Sequence, residues 1–266
     1  MNKIKNLLKL LREYPYSTLS GKFFALDYLL LRLFPVWSFP KLSIVPFVIE
    51  AYDLGSEEEF RVRYYASRIG AAEKWTATAR NTRESIEHFY QEHDMDIWRQ
   101  AHYSKYNYNT KKKTLLSYHI LKQAVGKDEP ILDFGCGSGV LFHYLREKGF
   151  TSVDAADIPS ATLDFISKWM DKSARRIINL GTDQLPKDYA AIVAVDCLEH
   201  VTEPVKIAQN LLDSLRKDGL LIVKFPKEDD FTWTHLKQAQ DQRDATFELI
   251  KKHCQTIVPE LIYRKH

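Results

Sequence analysis

Cysteine, methionine, glycine and proline are all sparse in this sequence, with three, three, ten and ten copies among 266 residues. Cys136, Cys197 and Cys254 stand far apart, are odd in number and form no C-x-x-C pair. That pattern suggests neither a disulfide framework nor a zinc site, and a reducing cytoplasm is the expected compartment. Long apolar runs are missing as well. The greasiest stretch, 29–49, is cut by Pro35, Pro40, Lys41 and Pro46, whereas a membrane-spanning helix needs about 20 largely apolar residues with unbroken hydrogen bonding. The N-terminal MNKIKNLLKLLREYPYS has neither a continuous apolar core nor a small-residue cleavage site, so no signal peptide is expected. There is no excess of one charge either. Lys and Arg total 38 against 35 Asp and Glu, a net charge of +3. That is too little for the basic face a nucleic-acid binder needs. Neither a membrane nor a nucleic acid is expected as a partner.

What is present is the balance of a globular protein, 45% hydrophobic and 27% charged, written in two grammars. Up to about Lys127 the periodicity is helical and aromatic-rich. Ile4, Leu7, Leu8 and Leu11 share one face of a basic first helix, expected to pack on the body of the protein or on a second copy in a homodimer. Segment 29–49 is expected to be a helix end followed by a proline-broken wrap. Ser56-Glu57-Glu58-Glu59 is a capping box opening a further helix, and others are expected near 82–92 and 111–124. After Pro130, strands alternate with helices: 130–133, 153–158, 176–180, 189–195 and 220–225, with a helix through Val205 to Leu215 stopping at Gly219. A long polar helix over 233–253 and a strand-like run over 256–263 end the chain. Repeated strand–helix units imply a parallel sheet covered by helices.

Ligands of such sheets sit beyond the carboxyl ends of the strands. The first strand runs into Asp133-Phe134-Gly135-Cys136-Gly137-Ser138-Gly139, whose alternating glycines let backbone turn tightly against a ligand, with a helix N-terminus behind them. The dinucleotide fingerprint fits poorly, because the third glycine comes one position early and Val140 follows it. No Walker lysine is present. Asp157, eighteen residues past Gly139, ends the second strand and is placed to accept the hydroxyls of a ribose.

These residues resemble a known family. Ile131 to Gly139 resembles the first motif, hydrophobic-D-x-G-x-G-x-G, of class I S-adenosylmethionine-dependent methyltransferases. Val195-Asp196-Cys197-Leu198-Glu199-His200-Val201 is similar to the segment after the fourth strand in the family's small-molecule branch. The resemblance spans roughly 115–225. It implies a doubly wound, Rossmann-like α/β fold with a mostly parallel sheet, over 111–266, behind an N-terminal helical lid or substrate region, 1–110. It implies S-adenosylmethionine as cofactor, a small-molecule substrate, and no metal. Gly135, Cys136, Gly137 and Gly139 would form the loop under the methionine part, with Asp133 orienting that loop and the ammonium group. Asp157, with Ile158 beside it, would hold the ribose. Asp183 is carried over as an adenine contact although Gly181 occupies the usual acidic position. Asp196 would face the reacting centre.

Asp196, His200 and Tyr106 are the candidate catalytic residues, as groups able to accept a proton. His200 could equally cap or pack. His88 and His93 are five apart, so a surface role is expected rather than metal ligation. Tyr90, Trp98, Tyr103, Tyr106 and Tyr108 precede the glycine turn and are expected to form an aromatic lid, since aromatic faces attract a sulfonium cation. Three functions fit this pattern: methyl transfer to a small molecule; cyclisation of the cofactor to azetidine-2-carboxylate and methylthioadenosine, as in methyltransferase-like enzymes that the sequence also resembles; or a non-catalytic binding module.

Overall fold

A computed structural model describes residues 42–69, 71–78, 82–170, 176–227 and 234–266. The expected basic first helix lies outside these residues, as does most of segment 29–49. Its remainder becomes α1 (Val45–Ala51), with Pro46 in the first turn, where its missing N–H costs nothing. Helices α2 (Glu57–Arg68), α3 (Ala71–Ala77), α4 (Arg83–Glu92), α5 (Met95–Tyr106) and α6 (Tyr108–Ala124) follow. The capping box forms with a shift of one residue. Ser56 Oγ accepts from Glu59 N–H, whereas the Glu59 carboxylate accepts from Gly55 N–H.

Strands β1 (Ile131–Phe134), β2 (Val153–Asp157), β3 (Arg176–Asn179), β4 (Tyr189–Val195), β5 (Leu215–Lys224), β6 (Cys254–Val258) and β7 (Ile262–Lys265) form one sheet in the order β3-β2-β1-β4-β5-β7-β6. The first five run parallel, and β7 pairs antiparallel with both β5 and β6. Strand order reverses between β1 and β4, at the glycine turn. Period-two side-chain alternation sorts the core. Ile131, Ala191, Val193, Leu220 and Ile222 join one apolar cluster with residues of α1, α2, α5, α6 and α7 (Val140–Glu147). Leu132, Ile192, Ala194, Leu221 and Val223 join the other, with α3, α4, α9 (Pro204–Ser214) and α11 (Arg243–His253), which follow α8 (Ala161–Phe165) and α10 (Lys237–Asp241). The sheet is therefore covered on both faces, the doubly wound α/β arrangement.

Four elements differ from expectation. The helix after β4 ends at Ser214 rather than near Gly219, because Leu215 is already extended and pairs with Tyr189 as the start of β5. The helix expected after β2 is present, but instead of a regular α-helix it is one short α-turn continued by a π-turn, Ile166–Met170. The long polar helix is split at Gln242 into α10 and α11. The strand-like run 256–263 is a hairpin, turned at Pro259-Glu260, where Glu260 is left-handed (φ 56°) and its N–H donates to Tyr263 Oη at 2.9 Å.

Candidate active site

At the end of β1 the chain makes three left-handed residues in five, Gly135 (φ 68°), Gly137 (φ 53°) and Gly139 (φ 74°). L-residues pay about 1–2 kcal/mol in this region. Space excludes a side chain too: a Cβ on Gly135 would collide with Cys197, and one on Gly137 would collide with the Gln100 amide. Asp157 at the tip of β2 ties the turn down. Its Oδ2 accepts from Gly137 N–H at 2.6 Å and its Oδ1 from Ile158 N–H at 2.8 Å. Asp133 lies beneath, its Oδ2 accepting from Phe142 N–H at 3.0 Å in the first turn of α7. From above, Gln100 Oε1 on α5 accepts from Ser138 N–H at 2.6 Å, and Asp96, one helical turn earlier, accepts from Ser138 Oγ through its carbonyl at 3.4 Å.

Burial governs the electrostatics. It raises Asp133 to about 7, partly opposed by the Phe142 bond, and Asp157 to about 6, partly opposed by the two backbone bonds. Both groups hold a proton more tightly folded than unfolded. Their neutral forms thus favour folding at low pH, and that contribution is lost as pH climbs from about 4 through about 7. Asp133→Asn keeps an acceptor for Phe142 without the charge. Denaturant unfolding should show the variant matching wild type near pH 4.5 and gaining on it by on the order of 3 kcal/mol by pH 8. A pH-independent difference would contradict this assignment.

After β4, Asp196 is left-handed (φ 55°) and ion-paired with Lys113 of α6 and with Lys224, the latter at 3.1 Å. Burial raises its pKa, but the two ammonium groups outweigh that and hold it below the usual range. Glu199 is fully buried on the 3₁₀ turn Leu198–His200, raised to about 8 by burial and then by Asp196. His200 Nδ1 faces the Thr234 carbonyl at 3.0 Å, and burial lowers its pKa to about 4.

Of the residues singled out from sequence, Asp133, the three glycines, Cys136, Asp157 and Ile158 come together at the turn. Cys197 links it to Asp196 and His200. Asp183 and Tyr106 are not brought to it. Asp183 accepts from Asn179 N–H at 2.9 Å and closes its own exposed turn. The Tyr106 hydroxyl donates to Glu57 on α2 and the ring is 45% exposed. Trp98 is core, packed on Phe60 and Tyr52 with its Nε1–H donated to Asp94. Tyr90 packs against Trp75 and Phe89. The side chain of Tyr108 lies outside the described residues. Sequence reasoning missed Gln100, Lys113 and Lys224. None of the three carried a local signal.

Residues 103–264 match the Methyltransferase domain family. The chain belongs to that family. S-adenosylmethionine is its cofactor, and the residues present fit it: a turn of left-handed glycines with no side chains of their own, beside the carboxylates of Asp157 and Asp196 at the ends of β2 and β4. Among curated relatives, the chain is 28% identical over 97 residues to the ubiquinone biosynthesis O-methyltransferase of Rickettsia typhi, covering 35% of this chain and 39% of that one. It is 31% identical over 110 residues to the ribosomal protein L11 methyltransferase of Paraburkholderia phymatum, covering 40% and 34%. The chain thus spans little more than a third of the length of these relatives. A solved TehB-like SAM-dependent methyltransferase from Corynebacterium glutamicum is 18% identical, with 60% of this chain and 97% of that one covered and a TM-score of 0.41. No helix among the described residues is long and apolar enough to cross a membrane.

Proposed function

We propose that this methyltransferase-family chain transfers a methyl group to a small-molecule acceptor. The observation that carries the proposal is the glycine turn, pinned from below by Asp157 and packed by Cys197 and Gln100. The cofactor supplies an electrophilic methyl group on a positive sulfur, and the protein supplies position and a water-poor surround. In this reading Gly135, Cys136, Gly137 and Gly139 present backbone to the methionine portion. Asp133 holds the turn against α7. Asp157, with Ile158 beside it, is the acceptor for ribose hydroxyls, each oxygen keeping a lone pair beyond its backbone bond. Asp196 faces the reacting end with Lys113 and Lys224, whose positive charges suit an acceptor that carries or develops negative charge. His200, neutral at pH 7, turns an unprotonated Nε2 toward Glu199 at the same end. Helices of the 1–110 region, α5 above all, roof the turn.

Cyclisation of the cofactor remains the second reading. The favouring observation is that Gln100 closes directly over the glycine turn, so that α5 can enclose the cofactor alone. Product analysis separates the two. Purified protein with S-adenosylmethionine and a panel of hydroxyl- and amine-bearing metabolites should yield S-adenosylhomocysteine and a labelled methylated acceptor. With cofactor alone it should leave S-adenosylmethionine intact. Methylthioadenosine in the acceptor-free sample would overturn methyl transfer in favour of cyclisation, and tight binding with no product in either sample would leave a binding module.

A further inference from the structure

We infer that Glu199, His200 and His235 form a binding site for a borderline transition-metal dication of the Zn²⁺ type. The three ligand atoms lie within 4.8 Å of one another. Glu199 Oε1 is 3.9 Å from His200 Nε2 and 4.0 Å from His235 Nε2. Ligands about 2.1 Å from a tetrahedral metal stand about 3.4 Å apart, so a closure of roughly half an ångström at the two glutamate–imidazole pairs, and of up to about 1.4 Å between the imidazoles, seats the ion.

Two further observations point to a ligand. The carboxylate of Glu199 is 1% exposed, and its Oε2 has no hydrogen-bond partner among the described residues. The oxygen nearest the imidazoles is Oε1, so it is a cation held by both carboxylate oxygens that relieves the cost of leaving Oε2 buried and unpaired. His200 is also fixed in the ligating tautomer. A carbonyl oxygen only accepts, so His200 Nδ1 must carry the hydrogen it gives to Thr234, which leaves the Nε2 lone pair facing Glu199. A carbonyl behind the distal nitrogen is the usual support of a metal-bound histidine. The segments bearing the ligands are tied together a second time, by Leu236 N–H donated to the Glu199 carbonyl at 2.9 Å.

The donor set, two imidazoles and one carboxylate, favours Zn²⁺, Fe²⁺ or Co²⁺ over Mg²⁺, which prefers an all-oxygen shell. Asp196 is engaged by two lysines and does not complete the set, so a coordination position stays open. On the methyl-transfer reading, that position beside the turn suits an acceptor hydroxyl, whose proton a dication makes easier to remove. That role in catalysis rests on the proposed function. Metal binding does not, and it is read without turnover.

The test is titration of chelator-stripped, full-length protein with Co²⁺, followed by visible absorption, and with Zn²⁺ by calorimetry. One equivalent should bind, Zn²⁺ should displace Co²⁺ and raise Tm, and the Co²⁺ spectrum should lack a thiolate charge-transfer band. Glu199→Gln and His235→Gln should each weaken binding about tenfold or more, while Cys197→Ser should not. No stoichiometric uptake by folded wild type, a thiolate band, equal affinity for Mg²⁺, or undiminished uptake by both glutamine variants would each overturn the site. Should the variants fail to fold, the stoichiometry and spectrum of the wild type decide alone.

Discussion

Gly137→Ala is expected to destabilise the protein by roughly 2–5 kcal/mol and to weaken S-adenosylmethionine binding at least about tenfold. Two causes add. Alanine at φ 53° costs about 1–2 kcal/mol against the following carbonyl. The new methyl group also meets the Gln100 amide, and overpacking of this kind costs about 1–3 kcal/mol. The two causes are separable. Gln100→Ala removes the obstacle but not the backbone strain, so in that background the alanine at 137 should cost less, with a coupling of about 0.5–3 kcal/mol. Denaturant unfolding and calorimetry of the four proteins in this cycle give both terms. Purely additive effects would mean that Gln100 and Gly137 are not in contact.

Asp157→Ala carries the second large effect. The carboxylate accepts two backbone amides, Gly137 and Ile158, both charge-assisted and both within 2.8 Å. Its loss leaves those donors unpaired under the turn and removes the proposed partner of the ribose. The expected weakening of cofactor binding is about 1–3 kcal/mol, which is about 5- to 150-fold in Kd. Asp157→Asn should recover only part of this, because its amide nitrogen must face one of the two N–H donors. Calorimetry at pH 7.5 measures both. Cofactor affinity equal to wild type in the alanine variant would remove Asp157 from the site.

Much of this architecture could be read from spacing. Apolar strands separated by helices of period 3.6 prescribe a parallel sheet, and glycines at every second position after the first strand mark the ligand turn. Asp157 was legible for the same reason: it ends a strand whose neighbours are Val153, Ala155 and Ala156. The elements misread were those decided by single backbone dihedrals, such as Glu260 at the hairpin tip and Leu215 at the start of β5. Side chains that reach the site across tertiary packing had no local mark. Gln100 touches Ser138 across 38 residues and Lys113 pairs with Asp196 across 83. His235 meets Glu199 across 36 residues, where Leu236 N–H is hydrogen-bonded to the 3₁₀ turn. Tyr106 misled because an aromatic upstream of the turn has a lid-like position in sequence. A helix rotates 100° per residue, however, which sends Tyr106 to Glu57 while Gln100 faces Ser138.

The measurement that bears most directly on the account is a crystal structure of the protein with S-adenosylhomocysteine. It should show the nucleoside at the carboxyl edge of β1 and β2, its ribose hydroxyls on Asp157 and its amino-acid portion against Gly135 to Gly139. Density for the nucleoside at any other surface, with Gly137 and Asp157 untouched, would contradict it.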